Sequence, residues 1–394
     1  MDTALALAAL CPKDVYRRMV SVRRDIHQHP ELAFEEAETA RRIMAELDRL
    51  GIGYSYGGVG EGIVARLKGD GSTPIALRAE MDALPGYETT GLSFASENEG
   101  RVHACGHDAH MAMVLGSAAL LKADPPKHGD VFFVFQPAEE KGGGSRRVIR
   151  SGELEDVQAI FGGHVTHHYN VGQVMVNEGT ITAQSDRFEI RVKGRAGHGA
   201  RPHEATDAIV ITGLLITTLQ TLVSREIDPL HPSVVTIGQV EAGTAPNIIA
   251  ENAVLRGTIR TTLPEVKNKI HNGLRRMAAA AGDLHNAEVE IDLIDGYPPV
   301  INTRRETDIA RRAVQQSFGP GAVVTADHPS MGGEDFSYYL QQIPGCYVRI
   351  GARIPGREYI ALHNPGFDID ERALGVGAAY FDRVARLALD ELVA

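Results

Sequence analysis

The sequence predicts an α/β protein: a sandwich around a mostly parallel central sheet, carrying an inserted ferredoxin-like α+β domain. Three observations carry that reading. Up to Ala183, short apolar runs alternate with stretches of helical spacing. Near Ala183 the texture turns to the polar–apolar alternation of half-solvated strands. From Tyr297 the chain returns to helix, strand and helix. The domains expected are 1–182 and 297–394 for the sandwich and 183–296 for the insert.

The elements follow in order. Val15, Met19, Val22 and Ile26, then Ala40, Ile43, Met44 and Leu47, recur at helical intervals, and Pro30 interrupts them because it disfavours helix in the residue before it. Gly62–Leu67, Pro74–Ala79 and Val131–Phe135 are short, β-branched or aromatic and bounded by Gly, Pro or charge, so each predicts a buried strand. His110–Leu121 predicts a helix, and Ala159–Phe161 a short strand. In the insert, Asp186–Gly194 predicts a strand, Ala205–Ser224 a helix, Ser233–Gly238 and Ala253–Arg260 two strands, Glu265–Ala281 a helix and Glu288–Leu293 a strand. That β-α-β-β-α-β order is the ferredoxin-like split unit. Asp308–Phe318 (helix), Cys346–Ile350 (strand) and Leu374–Leu392 (helix) complete the sandwich.

Composition excludes several functions. The 394 residues are 43% hydrophobic and 23% charged, with a net charge of −11, so a polyanion partner such as nucleic acid lacks its electrostatic footprint. No run approaches the roughly 18 consecutive apolar residues of a membrane span. The apolar run within Met1–Cys11 has Asp2 and no Lys or Arg ahead of it, a poor signal peptide. Three cysteines, Cys11, Cys105 and Cys346, are too few for a disulfide framework and suit a reducing compartment, the cytoplasm.

The chemistry concentrates in a few segments. Of sixteen histidines, His103, His107, His110, His128, His164, His167 and His168 fall between 103 and 168. In His103-Ala104-Cys105-Gly106-His107, a thiol and an imidazole two residues apart on a glycine turn suit a borderline divalent metal. Gln136-Pro137-Ala138-Glu139-Glu140 ends an apolar strand, where ligands gather in open α/β sheets. Of two adjacent carboxylates, one can bind metal and the other hold or deliver a proton. Gly162-Gly163-His164 and Leu362-His363-Asn364-Pro365 offer further imidazoles. Alone, Cys105 reads as a small buried apolar residue. His128, His167 and His168 read as exposed loop histidines, and His27 and His29 at the helix break as groups with a local structural role or one supporting the ligands.

Taken with His27–Leu32, Leu77–Pro85, Gly197-His198 and Gly333–Phe336, these motifs resemble one family almost end to end. It is the metal-dependent amidohydrolase family of bacterial aminoacylases, hippurate hydrolases and auxin-conjugate (indole-acetyl-amino-acid) hydrolases, related to glutamate carboxypeptidases. The resemblance implies a two-metal catalytic domain with an inserted lid that also dimerises. By position, Cys105, His107, Glu140, His164 and His363 match the metal ligands and Glu139 the general base. His198 matches an oxyanion-stabilising lid residue that acts from the partner subunit. Asn247 and Arg260 match lid residues that contact the substrate's carboxylate end. The sequence departs from its relatives at Glu80, where they usually carry Asp, and at Thr166–Tyr169, where many place a Pro.

The activity implied is hydrolysis of N-acyl amino acids to a carboxylic acid and a free amino acid. Two divalent ions would serve, zinc or manganese, with cobalt and nickel also admitted by the donors. The rival readings are a dipeptidase or carboxypeptidase of the same family and a metal-binding protein without catalysis. The retention of Glu139 beside Glu140 speaks against the last, since a closed structural site needs no spare base.

Overall fold

The computed structural model describes residues 11–70 and 72–392. Of the N-terminal run discussed above, only Cys11 falls within them, and it is buried. Met1–Ile181, Val300–His328 and Asp335–Ala394 form one compact unit; Thr182–Pro299 and Pro329–Glu334 form the other.

The first unit opens with helices α1 (Lys13–Gln28) and α2 (Ala37–Leu50). α2 stops at Gly51, whose left-handed backbone (φ +62°) closes a helix at little steric cost. Then come β1 (Gly53–Tyr56), β2 (Ile63–Leu67), β3 (Pro74–Glu80), α3 (His107–Ala123), β4 (Asp130–Gln136), α4 (Gly144–Arg150), β5 (Ala159–Asn170) and β6 (Val174–Met175). The insert supplies β7 (Gln184–Lys193), α5 (Ala208–Thr221), β8 (Ser233–Ala242), β9 (Asn252–Thr261), α6 (Pro264–His285) and β10 (Glu288–Ile294). The first unit resumes with α7 (Arg304–Phe318), β11 (Val323–Val324), β12 (Gly345–Arg353) and α8 (Arg372–Leu392).

The large sheet runs β1-β2-β4-β3-β5-β12-β6-β11. Its middle, β4-β3-β5-β12, is parallel; β1, β2 and the β12–β6 pair are antiparallel. The parallel strands are apolar along their length because both faces are covered. Phe133 and Phe135 pack into the core that also holds Ile26, Ile43, Val114 and Leu374, from α1, α2, α3 and α8. Phe132 and Val134, alternating with them, pack with Val148, Phe336 and Tyr347 on the other face. Parallel strands bring their carboxyl ends to one edge, so the segments after Glu80 and Gln136 lie side by side, with Met81 N–H donating to Gln136 O at 2.8 Å.

The strand expected to end at Phe161 continues to Asn170, because β12 pairs with β5 from Ile160 through Thr166. His164 and His167 therefore lie within a strand. The loop reading of His167 is wrong: it is buried, with Nε2 2.7 Å from Asp368 O. His168, on the same strand, is exposed.

The second unit is a four-stranded antiparallel sheet, β8-β9-β7-β10, built in β-α-β-β-α-β order. Phe188, Ile190, Leu215, Leu255, Ile270 and Leu274 form its core. Pro329–Glu334, expected in the sandwich, belongs here: Ala183 N–H donates to Ser330 O at 2.7 Å. By length and composition, Ala208–Glu226 is apolar enough to cross a membrane, and Ile209, Val210, Leu214 and Ile216 along it are exposed.

α1 carries two buried charged groups on its inner face. Arg23 bonds Asp108 (3.0 Å), Asp368 (2.8 Å) and Glu371 (3.2 Å). His27 places Nδ1 2.9 Å from Asp108 and Nε2 3.2 Å from Glu88. Burial alone would push the imidazole down, but the two carboxylates carry it up to about 9. A folded pKa above the unfolded value near 6.5 gives stability that is complete below about pH 6.5 and lost as the pH rises through about 9. The stability difference between wild type and His27→Gln, measured by urea unfolding, is expected to shrink by on the order of 3 kcal/mol across that window. A difference independent of pH would show that His27 is not the charged partner of Asp108 and Glu88.

Candidate metal centre

Cys105 and His107 flank Gly106, whose φ is +88° and on which a Cβ would meet Val165 Cγ2 at 2.4 Å. Only glycine allows both the turn and the close approach, and the turn leads directly into α3. Hydrogen bonds then set the ring orientations. His107 Nδ1 lies 2.7 Å from Asp82 O, and His164 Nδ1 lies 2.7 Å from Val165 O. A carbonyl only accepts, so each Nδ1 carries a proton and Nε2 is the ring atom left to ligate. His164 Nε2 lies 3.3 Å from Cys105 Sγ.

The other donors come from a turn and a late loop. After β4, Glu139 N–H and Glu140 N–H donate to the two carboxylate oxygens of Asp82, at 3.0 and 2.9 Å. Glu139 Oε1 accepts from Asp335 N–H at 3.4 Å. His363 N–H donates to Ala104 O at 2.8 Å, which brings the late loop against the Cys105 turn. His363 Nε2 then lies 3.2 Å from Glu140 Oε1. Three overlapping sets among these residues have ligand atoms within 4.8 Å of one another: Cys105–His107–His164, Cys105–Glu140–His363 and His107–Glu139–Glu140. The five residues matched to ligands and the one matched to a base are thus all brought together. His363 remains the most open of them, with 54% of its side chain exposed.

These residues fit divalent metals. Thiolate, imidazole and carboxylate together are borderline donors. Glu140 Oε1 is buried and makes no hydrogen bond. Burial foremost, with Glu140 beside it, pushes the Cys105 thiol well up, so its ionised form there calls for a cation. Burial also pushes His164 well down, aided by His110 and Arg349, and so keeps it neutral as a ligand must be.

Glu80, His107 and His110 also lie at ligand spacing, but His110 is already engaged. Its Nε2 accepts Val165 N–H at 3.0 Å and its Nδ1 bonds Glu80 at 2.8 Å. Glu80 further bonds Arg78 and the Tyr347 hydroxyl, and Arg78 reaches Gln136 (2.9 Å) and Asp335 (2.7 Å). Burial would raise Glu80, yet Arg78 and His110 hold it well below the usual carboxylate range. This buried network, and the part played by Asp82, were not found by sequence reasoning. The signal available was the position of Glu80-Met81-Asp82 at the end of β3, beside the strand that leads to Glu139.

The remaining candidates lie in the second unit. His198 pairs with Ile248 in a short ribbon, and Gly199 N–H donates to Asn247 O at 2.9 Å. His198 is exposed and its Nδ1 accepts Ala200 N–H at 3.0 Å, which leaves Nε2–H as the ring's donor. Arg260, on β9, is half-buried, and its side chain makes no hydrogen bond or ion pair among the described residues. Burial first, then Arg187, lowers its pKa, and Asp186 opposes them.

The chain is similar along most of its length to known hydrolases. N-acetylcysteine deacetylase of Bacillus subtilis is 39% identical over 386 residues, 97% of this chain and 100% of that protein. IAA-amino acid hydrolase ILR1-like 4 of Arabidopsis thaliana is 39% identical over 392 residues, 97% of this chain and 88% of that protein. A solved Bacillus subtilis structure described as a dinuclear metal binding peptidase from the M20 family superposes with a TM-score of 0.83 at 36% identity, covering 96% of this chain and 99% of its own. Residues 76–387 match Peptidase family M20/M25/M40, and with relatives of this identity along nearly the whole chain, the protein belongs to that family.

Proposed function

We propose that the protein is a metal-dependent amidohydrolase that splits N-acyl amino acids into a carboxylic acid and a free amino acid. The observation that carries the reading is Glu139: a carboxylate at ligand distance from His107 and Glu140, beside two donor triads that do not need it. Cys105, His107 and His164 would hold one divalent ion, and Cys105, Glu140 and His363 the other. When bound, such ions polarise an amide carbonyl and acidify water. The thiolate favours zinc, while the carboxylate and open arrangement admit manganese, cobalt or nickel.

The chain's own groups then divide the work. Glu139 takes the proton of the attacking water and passes it to the amide nitrogen, so that the C–N bond breaks with a neutral amine leaving. His198 Nε2–H stabilises the negative charge that develops on the carbonyl oxygen. Arg260, a guanidinium that feels Asp186 but has no carboxylate at ion-pair distance among the described residues, pairs with the free α-carboxylate, and Asn247 assists it. That pairing selects N-acyl amino acids over internal peptide bonds. A carboxypeptidase is the second reading, favoured by a relative named thermostable carboxypeptidase 2 of Saccharolobus solfataricus, 36% identical over 93% of this chain and 94% of its own. Hydrolysis of hippurate without hydrolysis of dipeptides separates the two.

We also place the protein in the cytoplasm as a homodimer joined through the insert. Its three cysteines are buried and unpaired, as a reducing compartment favours. In the insert's sheet, the β10 edge carries Glu288, Glu290 and Asp292 beside an exposed Ile294, and the β8 edge carries Glu241 beside exposed Val234 and Val240. A sheet edge is commonly satisfied by pairing, and a two-fold contact is the commonest way.

Three outcomes are expected. Metal analysis after dialysis should give about two equivalents per chain, falling when His363 becomes Ala; His363→Ala with both metals and full turnover would refute the ligand set. Glu139→Gln should keep metals and KM while kcat falls about 10²–10⁴-fold, and near-normal kcat would place the base elsewhere. Finally, Glu139→Gln and His198→Ala homodimers should each be nearly inactive. Their reshuffled mixture should recover about a quarter of wild-type activity, because half the dimers are mixed and each has one complete site. No recovery despite confirmed subunit exchange would show that His198 serves its own subunit.

A further inference from the structure

The turn that carries Glu139 is held by a second buried acid, one to which neither the resemblance nor the spacing assigned a role. Glu36 sits at the start of α2, where a carboxylate would ordinarily cap the helix, yet its side chain makes no capping bond. Instead Glu36 Oε1 accepts the N–H of Ala138 at 2.8 Å. Its other oxygen, Oε2, is buried and makes no hydrogen bond. Ala138 is fully buried and has φ +50°, in the left-handed region that an L side chain adopts only when its surroundings impose it. Three successive N–H groups, those of Ala138, Glu139 and Glu140, therefore point at two carboxyl groups: Glu36 takes the first and Asp82 the next two. Such a run of N–H groups is an anion-binding concavity, here filled by the protein's own acids.

We propose that Glu36 is a positioning residue for Glu139: by accepting the Ala138 N–H it locks the left-handed turn that aims the Glu139 carboxylate. The inference rests on Glu139 acting as the proton acceptor. Asp82 fixes the peptides on the far side of Ala138, but the Pro137–Ala138 peptide has only Glu36 to receive its N–H among the hydrogen bonds of the turn. Proline cannot donate, so no N–H of residue 137 shares the task. Without that acceptor, a buried N–H is left unpaired and the peptide keeps only the bond from Gln136 Nε2 to Pro137 O (3.2 Å), so its strained setting relaxes and the side chain that follows shifts. Burial, opposed only by backbone donors and reinforced by Asp82, pushes the Glu36 carboxyl up to about 7. A glutamine is therefore a close substitute, since the role needs an acceptor oxygen and not a charge.

The test compares Glu36→Gln, Glu36→Ala and the volume-matched Glu36→Met in the metal-loaded enzyme, with hippurate as substrate. Gln should keep kcat within about twofold. Ala and Met should lose about 10–100-fold in kcat, the scale of a sub-ångström to 1 Å displacement of a reacting group, with KM and metal content unchanged. In a Glu139→Gln background, Glu36→Met should cost nothing further, because the residue it positions is already disabled. Wild-type kcat in Glu36→Ala overturns the proposal, as does an equal loss in Gln and Met, or a loss in the Glu139→Gln background as large as in wild type. If Ala and Met both fail to fold while Gln folds, Glu36 serves folding and the positioning role is refuted. Normal turnover in Glu139→Gln itself would instead defeat the assignment of the base, a separate failure.

Discussion

Asp82 sits where two parallel strands end together, and the rest of the centre hangs on it. Its carboxylate receives the N–H groups of Glu139 and Glu140, and its carbonyl receives Nδ1–H of His107. One buried residue therefore orients groups from two other segments of the chain. Its place is set by the sheet: β3 and β4 pair in register from Pro74–Asp130 to Glu80–Gln136, and the ladder runs on through Met81. A slip of one residue would turn the Asp82 carboxylate to the opposite face and leave the Glu139 turn without its acceptor. The apolar strands thus do more than build a core, because their register fixes the chemistry at their ends.

Beneath that edge lies a second layer of buried charge. Arg78 joins Glu80, Gln136 and Asp335, while Glu80 holds His110 and Tyr347. Removing charges from water is costly, and an apolar replacement of equal volume is often no less stable. What the ions supply here is direction. His110 must give its Nδ1 proton to Glu80 because its Nε2 accepts Val165 N–H, and that bond anchors the strand residue next to His164. Arg23 plays a parallel part on the other side, joining Asp108, next to His107, to Asp368, in the segment that follows His363. Loss of one partner in either network would strand a buried charge, at about 3–5 kcal/mol.

The sequence made most of the elements readable because their apolar periods are long and their ends are marked by Gly, Pro or charge. The ligand segments were readable only jointly, as Cys-x-His on a glycine turn, Glu-Glu at a strand end and two further histidines, and the family resemblance assigned each its role. The polar length of β5 was not readable, since Gly162-Gly163-His164-Val165-Thr166-His167 has no period of two and its strand character comes from pairing with β12, far away in sequence. Nor could the Asp82 and Glu36 contacts be read, because backbone N–H groups leave no mark in side-chain pattern. The exchange of Pro329–Glu334 into the insert is of the same kind, a backbone pairing of Ser330 with Thr182 and Ala183.

Backbone strain shows where the fold gives up stability for direction. Among the described residues, four that are not glycine have positive φ: Phe34, Ala138, Asn286 and His363. Asn286 is an ordinary helix end, closing α6 in a residue type that tolerates the left-handed region. Of the other three, Phe34 and Ala138 lack that tolerance and His363 shares part of it, yet a left-handed residue with a β-carbon still costs on the order of 1 kcal/mol. Ala138 precedes Glu139, His363 is itself a ligand candidate, and Phe34 leads into Glu36, which holds Ala138. At Gly106, where a side chain would strike Val165, glycine removes the strain; at His363 the imidazole is itself needed, so the strain stays. It is borne by a hydrogen bond on the same residue, His363 N–H to Ala104 O, which also fixes the distance between the two ligand segments. The bond that holds the strained residue is thus the bond that sets the geometry, and relaxing one would loosen the other.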